Sequence, residues 1–285
     1  MIASCVCTQS VDDRAIFAPR RDFLIRMGAV FSASAISNNR VLADSVAQKP
    51  TTPNWIGCLD FQPASALPVG GATTFDDQSG SILIDRIVNT GILDIAKTYN
   101  LNPANLPGLV YAHGARENDA WVVDASYLKD TTHTVVLGAK RLVTESATEP
   151  HYGLVCIPLI LAHEMGHVLQ LNTGIVDRFR SQTEHFTRAL ELHADFLAGW
   201  YLGLDADWTQ NAMSVANGRV RAWGDSCVES VTHHAFGQER AYFNEDGWGA
   251  AKYGAQDIKI VSKSAEDKVL QWVSNVPEGT SVCKP

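Results

Sequence analysis

From Leu154 to Leu171 the chain is almost continuously apolar, and the main polar breaks fall at His163, Glu164, His167 and Gln170. Such a helix, apolar on nearly every side, belongs in a core. Pro158 suits a first helical turn and Gly174 suits a stop, so one buried helix is predicted across this stretch. Upstream, Ile84, Ile87, Val88, Ile92, Ile95 and Ala96 recur at helical spacing between Ser81 and Tyr99, the mark of an amphipathic helix packed on a core. Leu109 to Ala112 and Ala120 to Asp124 read as strands separated by a polar turn containing Gly114, and Thr134 to Gly138 as a third β-prone run. Downstream, Ala189 to Trp200 lies on a helix whose start is suggested by a Ser181-x-x-Glu184 capping box. Asp207 to Trp223 and Ser264 to Val273 also carry helical period. Trp200, Tyr201, Trp223 and Trp248 read as core aromatics. The pattern sums to an α+β domain over residues 81–285, a small mixed sheet packed on the buried helix with further helices after it. A sheet edge there could pair with an extended substrate.

Residues 44–80 are rich in Pro, Gly, Ser and Thr without a clear period, and read as an irregular N-terminal arm. Residues 1–43 read as an address. Arg20-Arg21 precedes a modest apolar run from Met27 to Ile36, and Val41-Leu42-Ala43 offers small residues of the kind a signal peptidase reads. This segment resembles a twin-arginine export signal cut after Ala43, which implies a periplasmic or extracellular protein. No apolar stretch is long enough to predict a membrane span once the leader is removed.

The chain has 285 residues and a net charge of −8, and the expected leader carries more basic than acidic groups, so what remains is more acidic still. That balance excludes a nucleic-acid binder that works by phosphate neutralisation. Of six cysteines, Cys58, Cys156, Cys227 and Cys283 lie beyond the leader. Their number is even, as an oxidising compartment allows, but all three pairings stay open, and Cys156 sits in an apolar run that also suits a buried thiol. None forms a C-x-x-C pair, so a cysteine-based zinc site is not indicated.

The chemistry is in the polar breaks of the buried helix. His163 and His167 are four apart and project from one helical face, so both imidazoles can reach one metal ion. Glu164 lies about a third of a turn round, where a carboxylate can take a proton from a water that the metal acidifies. Composition alone gives a chance H-E-x-x-H odds of roughly one in a hundred, and a buried helix carrying three such groups needs partners for them. Glu191 and Asp195, one turn apart on the later helix, supply what is missing. One carboxylate balances the charge of a zinc ion held by two neutral imidazoles, and a second can accept the other N–H of a ligating ring. We assign Glu191 as third ligand and Asp195 as the group orienting His163. His193 and His185 are rival ligands on other faces.

His163-Glu-x-Gly-His167-x-x-Gln170 followed by Glu191-Leu-x-Ala-Asp195-x-x-Ala-Gly199 resembles the bacterial neutral zinc metallopeptidases of the gluzincin type, H-E-x-G-H…E-L-Q-A-D-x-x-A-G. His234 to Gly247 is similar to their downstream His…Arg…Gly segment, with His234, Arg240 and Gly247 at matching distances. The likeness runs from about Asn118 to Trp248. It implies a zincin-like fold, one catalytic Zn2+ and hydrolysis of peptide bonds in peptides or unfolded proteins. His193 stands where the pattern has glutamine, and Ala235-Phe236 where it has a small Gly-Ser pair, departures that bear on substrate preference. An oxyanion developing at the scissile carbonyl needs a donor besides the metal, and His234 is the first choice, with His233, Tyr201 and Arg240 as alternatives. Arg240 could instead hold its segment in place by charge-assisted hydrogen bonds. Two other functions fit the same residues: a zinc-dependent hydrolase of a non-peptide substrate, and a zinc-stabilised binding or chaperone-like protein. A purely structural site would need neither Glu164 nor an open coordination position.

Overall fold

The computed structural model describes residues 55–56, 73–123, 132–148, 153–206, 208–225 and 234–275. The proposed leader with its Ala43 cleavage point, most of the arm, and Cys58, Cys227, His233 and Cys283 lie outside these residues. The described part is α+β, a five-stranded mixed sheet with eight α-helices.

The first helix, α1 (Ile82–Thr98), starts where Ser81 adopts extended backbone and its hydroxyl accepts from the Ile84 N–H. Ile84, Ile87, Val88, Ile95 and Ala96 are buried along one face, as their spacing predicts. Strands β3 (Gly108–His113), β4 (Ala120–Val123) and β5 (Thr134–Gly138) match the three expected runs. The two strands flanking the Gly114 turn are not neighbours, however. β5 lies between them, parallel to β3 and antiparallel to β4, and every residue of β5 is buried. That placement suits a five-residue apolar run needing cover on both faces. The aperiodic lead-in supplies both edges: β1 (Trp55–Ile56) pairs with β4, and β2 (Thr74–Asp76) pairs with β3. Strands of two and three residues carry too little sequence for a period of two to show.

Behind the sheet come α2 (Ala139–Thr148) and the long α3 (Cys156–Thr173), with Gly174 as its left-handed stop. All residues of α3 from Cys156 to Gln170 are buried. Cys156 is a buried thiol packed with Val155 and Ala212. Next, α4 (Ile175–Gln182) contains Ser181, whose hydroxyl donates to the Arg178 carbonyl within the same helix. The expected capping box is therefore not formed. Extended backbone at Thr183 ends α4, and α5 (Phe186–Leu204) begins after His185, whose N–H is held by the Thr183 hydroxyl.

The remaining helices are α6 (Gln210–Ala222), α7 (Gly237–Lys252) and α8 (Ile258–Asn275). α8 starts a turn and a half before the expected Ser264, because the Asp257 carboxylate takes the Lys259 N–H and the Asp257 carbonyl takes that of Val261. α7 has no clear amphipathic period in sequence, and its backbone presses directly on that of α5. A methyl group on Gly199 of α5 would stand 1.8 Å from the Asn244 carbonyl oxygen of α7, and one on Gly247 1.9 Å from that of Phe196. Backbone touches backbone at both points, and only glycine allows it. The buried Arg188–Glu239 ion pair ties the same two helices near the start of α7, where Glu239 also accepts the Phe236 N–H. No helix among the described residues is long and apolar enough to cross a membrane.

Candidate metal centre

His163 and His167 on α3 meet Glu191 on α5. The crossing is close because Gly166 faces Ala194: a methyl at Gly166 would stand 3.2 Å from the Ala194 Cα, so a larger residue would push α5 and its carboxylate away. The His163 and His167 Nε2 atoms are 3.2 Å apart, His163 Nε2 lies 3.3 Å from Glu191 Oε2, and His167 Nε2 lies 3.4 Å from Glu191 Oε1. Donor atoms around a tetrahedral zinc at about 2.0–2.1 Å are separated by about 3.3–3.4 Å. The two imidazole nitrogens are near that spacing, Glu191 offers each of them a different oxygen, and one donor atom from each of the three groups lies within 4.8 Å of the others, so together they could hold a metal ion; among the described residues they are the one His/Cys/Asp/Glu cluster of metal-binding geometry. They are 0–1% exposed.

The rest of each ring is also engaged. His163 Nδ1 is 2.9 Å from Asp195 Oδ1, the contact expected of the orienting carboxylate. Asp195 in turn is gripped by both arms of Arg240, with Nε at 2.8 Å and Nη2 at 3.0 Å. The same guanidinium reaches Glu191 Oε2 at 3.3 Å and the Trp223 carbonyl at 3.4 Å. Arg240 is 0% exposed, and an isolated charge there would be costly, so the two carboxylates and the cation depend on one another. Asn244, one turn along α7, donates to the Asp195 carbonyl. The close approach of α5 and α7 at Gly199 and Gly247 thus sets Arg240 against Asp195. Arg240 makes the charge-assisted hydrogen bonds by which it could hold its segment, and its Nη2 also lies 3.5 Å from His163 Nε2.

His167 has a different support. Its Nδ1 lies 2.8 Å from Gln170 Oε1, and the Gln170 amide donates to the Leu190 carbonyl at 2.8 Å and meets His193 Nδ1 at 3.1 Å. Sequence reading left Gln170 without a role. The available signal was its spacing, three residues beyond His167 on the same helical side. His193 is no ligand: its Nε2 faces the Ser262 carbonyl at 3.2 Å, and burial, more than any neighbour, holds its pKa down to about 4. His185 stands at the residue before α5, its ring 3.7 Å from the Glu184 carboxylate.

Burial pushes the Glu191 carboxyl up, but hydrogen bonds from His163 and His167 and the charge of Arg240 outweigh it and hold the group well below the usual range. Burial works against charge on His167 too, yet Glu191 beside it lifts that imidazole above its ordinary value. Glu191 thus stays anionic between the two imidazoles. Glu164 is buried, and its charge bears on His167.

His234 precedes α7 by three residues. It is 9% exposed, and its backbone N–H donates to Asp225 Oδ2 at 2.7 Å. Tyr201, an alternative oxyanion donor, is engaged elsewhere: its hydroxyl donates to Asp94 of α1 at 2.8 Å, beside Tyr99. Because α1 claims that hydroxyl, Tyr201 drops out as a donor.

Compared with known protein families, with curated proteins and with solved structures, the chain matches none.

Proposed function

We propose that this protein is a zinc-dependent peptidase with a zincin-like core, exported by its N-terminal segment. The observation that carries the reading is the buried His163–His167–Glu191 cluster, with the two Nε2 atoms 3.2 Å apart and each facing one Glu191 oxygen, at 3.3 Å for Oε2 and 3.4 Å for Oε1, next to Glu164 in the same turn of α3. A zinc ion held by His163, His167 and Glu191 would supply a Lewis acid that polarises a carbonyl and acidifies water. The side chains do the rest. Glu164 accepts the proton of the attacking water and delivers it to the leaving amine. Asp195 and Gln170 keep both ligating rings oriented with Nε2 toward the ion. His234 donates to the oxygen on which charge develops, and the resemblance of His234…Arg240…Gly247 to the neutral metallopeptidases supports that role.

Metal analysis of the purified protein, paired with digestion of casein and a peptide library, tests the reading. One zinc per chain and cleavage are expected. Glu164→Gln should keep the zinc and lose about 10²- to 10⁴-fold in kcat, the range of a general base. Zinc without cleavage of any peptide would instead favour a non-peptide substrate or a binding protein.

A further inference from the structure

His193 lies on α5 two residues beyond the proposed ligand Glu191 but faces away from it, into a buried gap between α3, α5 and α8. A buried imidazole needs a defined donor and acceptor, and its neighbours dictate which nitrogen is which. The Leu190 carbonyl accepts only, which turns the Gln170 nitrogen toward it and toward Nδ1 of His193, so Nε2 of His193 carries the proton and faces the Ser262 carbonyl and hydroxyl, each at 3.2 Å. In the neutral ring Nδ1 is then an acceptor, and it faces the Gln170 nitrogen at 3.1 Å. The other hydrogen of that nitrogen goes to the Leu190 carbonyl at 2.8 Å. The amide cannot be turned over: Gln170 oxygen would then face the Leu190 oxygen at 2.8 Å, and His193 Nδ1 would lose its donor. So Gln170 Oε1 points at His167 Nδ1 and accepts its proton at 2.8 Å. His167 is left with its lone pair on Nε2, aimed at His163 and Glu191.

We infer that His193 and Gln170 are positioning residues for metal binding, a directed hydrogen-bond relay from the Ser262 carbonyl that fixes His167 as an Nε2 ligand. The inference rests on the proposed metal site. All four participating groups are buried, and Phe179 packs edge-on against the His193 ring at 5.9 Å, which keeps it from turning. The relay also ties the ligand to α8, an element with no ligand of its own. A glutamine at position 193 would offer the same pair, an acceptor on one side and a donor on the other.

The test is zinc affinity, measured on the full chain by competition with a chromophoric chelator. His193→Phe should weaken zinc binding by about 10- to 100-fold, and His193→Gln should bind within about threefold of the wild type. Wild-type affinity in His193→Phe, or equal loss in both variants, would overturn the relay. Should His193→Phe fail to fold, long-range ¹H–¹⁵N correlation spectra of the zinc-loaded wild type decide: the proton is expected on Nε2 of His193 and on Nδ1 of His167, and the opposite tautomer at either ring overturns the inference. Neither readout depends on what is hydrolysed. A chain that shows both results yet cleaves no peptide refutes the peptidase and leaves the relay standing, whereas a wild type without zinc affinity overturns the metal site and the relay together.

Discussion

His163 is held from behind by a carboxylate clamped in a guanidinium, and His167 by an amide backed by a second imidazole, yet both rings present Nε2 to the same point. The two supports achieve one orientation with different electrostatics. On the His163 side Asp195 places a buried negative charge behind the ring, and Arg240 balances it. On the His167 side no formal charge is used, and the cost of burial is met by hydrogen bonds alone. The charged side is therefore the one whose failure leaves a bare ion in the core. It is also the side that depends most on α7.

Arg240→Met should do the most damage. It strands Asp195 and should cost about 3–5 kcal/mol in chemical denaturation, with Asp195→Asn/Arg240→Met recovering a large part of the loss. A single variant as stable as wild type would show that the pair is not holding the site. Gly199→Ala comes next, because its methyl would stand 1.8 Å from a backbone oxygen of α7. A loss of about 1–3 kcal/mol is expected, seen as a lower Tm. The His193 tautomer should survive in NMR spectra, since the neutral support does not pass through α7. Gln170→Leu attacks the neutral side, leaving the Leu190 carbonyl and His193 Nδ1 without their donor, for about 1–3 kcal/mol in the same denaturation assay. If it proves more damaging than Arg240→Met, the ranking of charged over neutral support is wrong. The smallest effect belongs to Tyr201→Phe, which removes only the bond to Asp94. It should cost about 0.5–1.5 kcal/mol in thermal unfolding and leave zinc affinity unchanged; a fall in affinity would bring Tyr201 back toward the metal.

His163, Glu164 and His167 were legible because four residues make about one helical turn, so spacing alone puts both rings on one side of α3. Glu191 and Asp195 were legible for the same reason, and the contact of Asp195 with His163 is the one expected. Arg240 was half legible, since its distance to Gly247 could be read but its partner could not. Gln170 and His193 were visible as letters without a role.

The sequence by itself determined the periodic elements: α1 with its Ser81 cap, the buried α3 with its Gly174 stop, the three inner strands, and the residues that share a helical face. These follow from local geometry, in which a repeat of 3.6 or 2 residues and a capping side chain act within a few positions of the chain. Only the tertiary structure decided that β5 separates β3 from β4, that two short runs of the lead-in close the sheet, that α7 lies against α5 through glycine, and that an amide and an imidazole 23 residues apart in sequence set the proton on a third side chain. Those outcomes depend on contacts between distant segments, where backbone approach and hydrogen-bond direction are fixed by neighbours that no local repeat encodes.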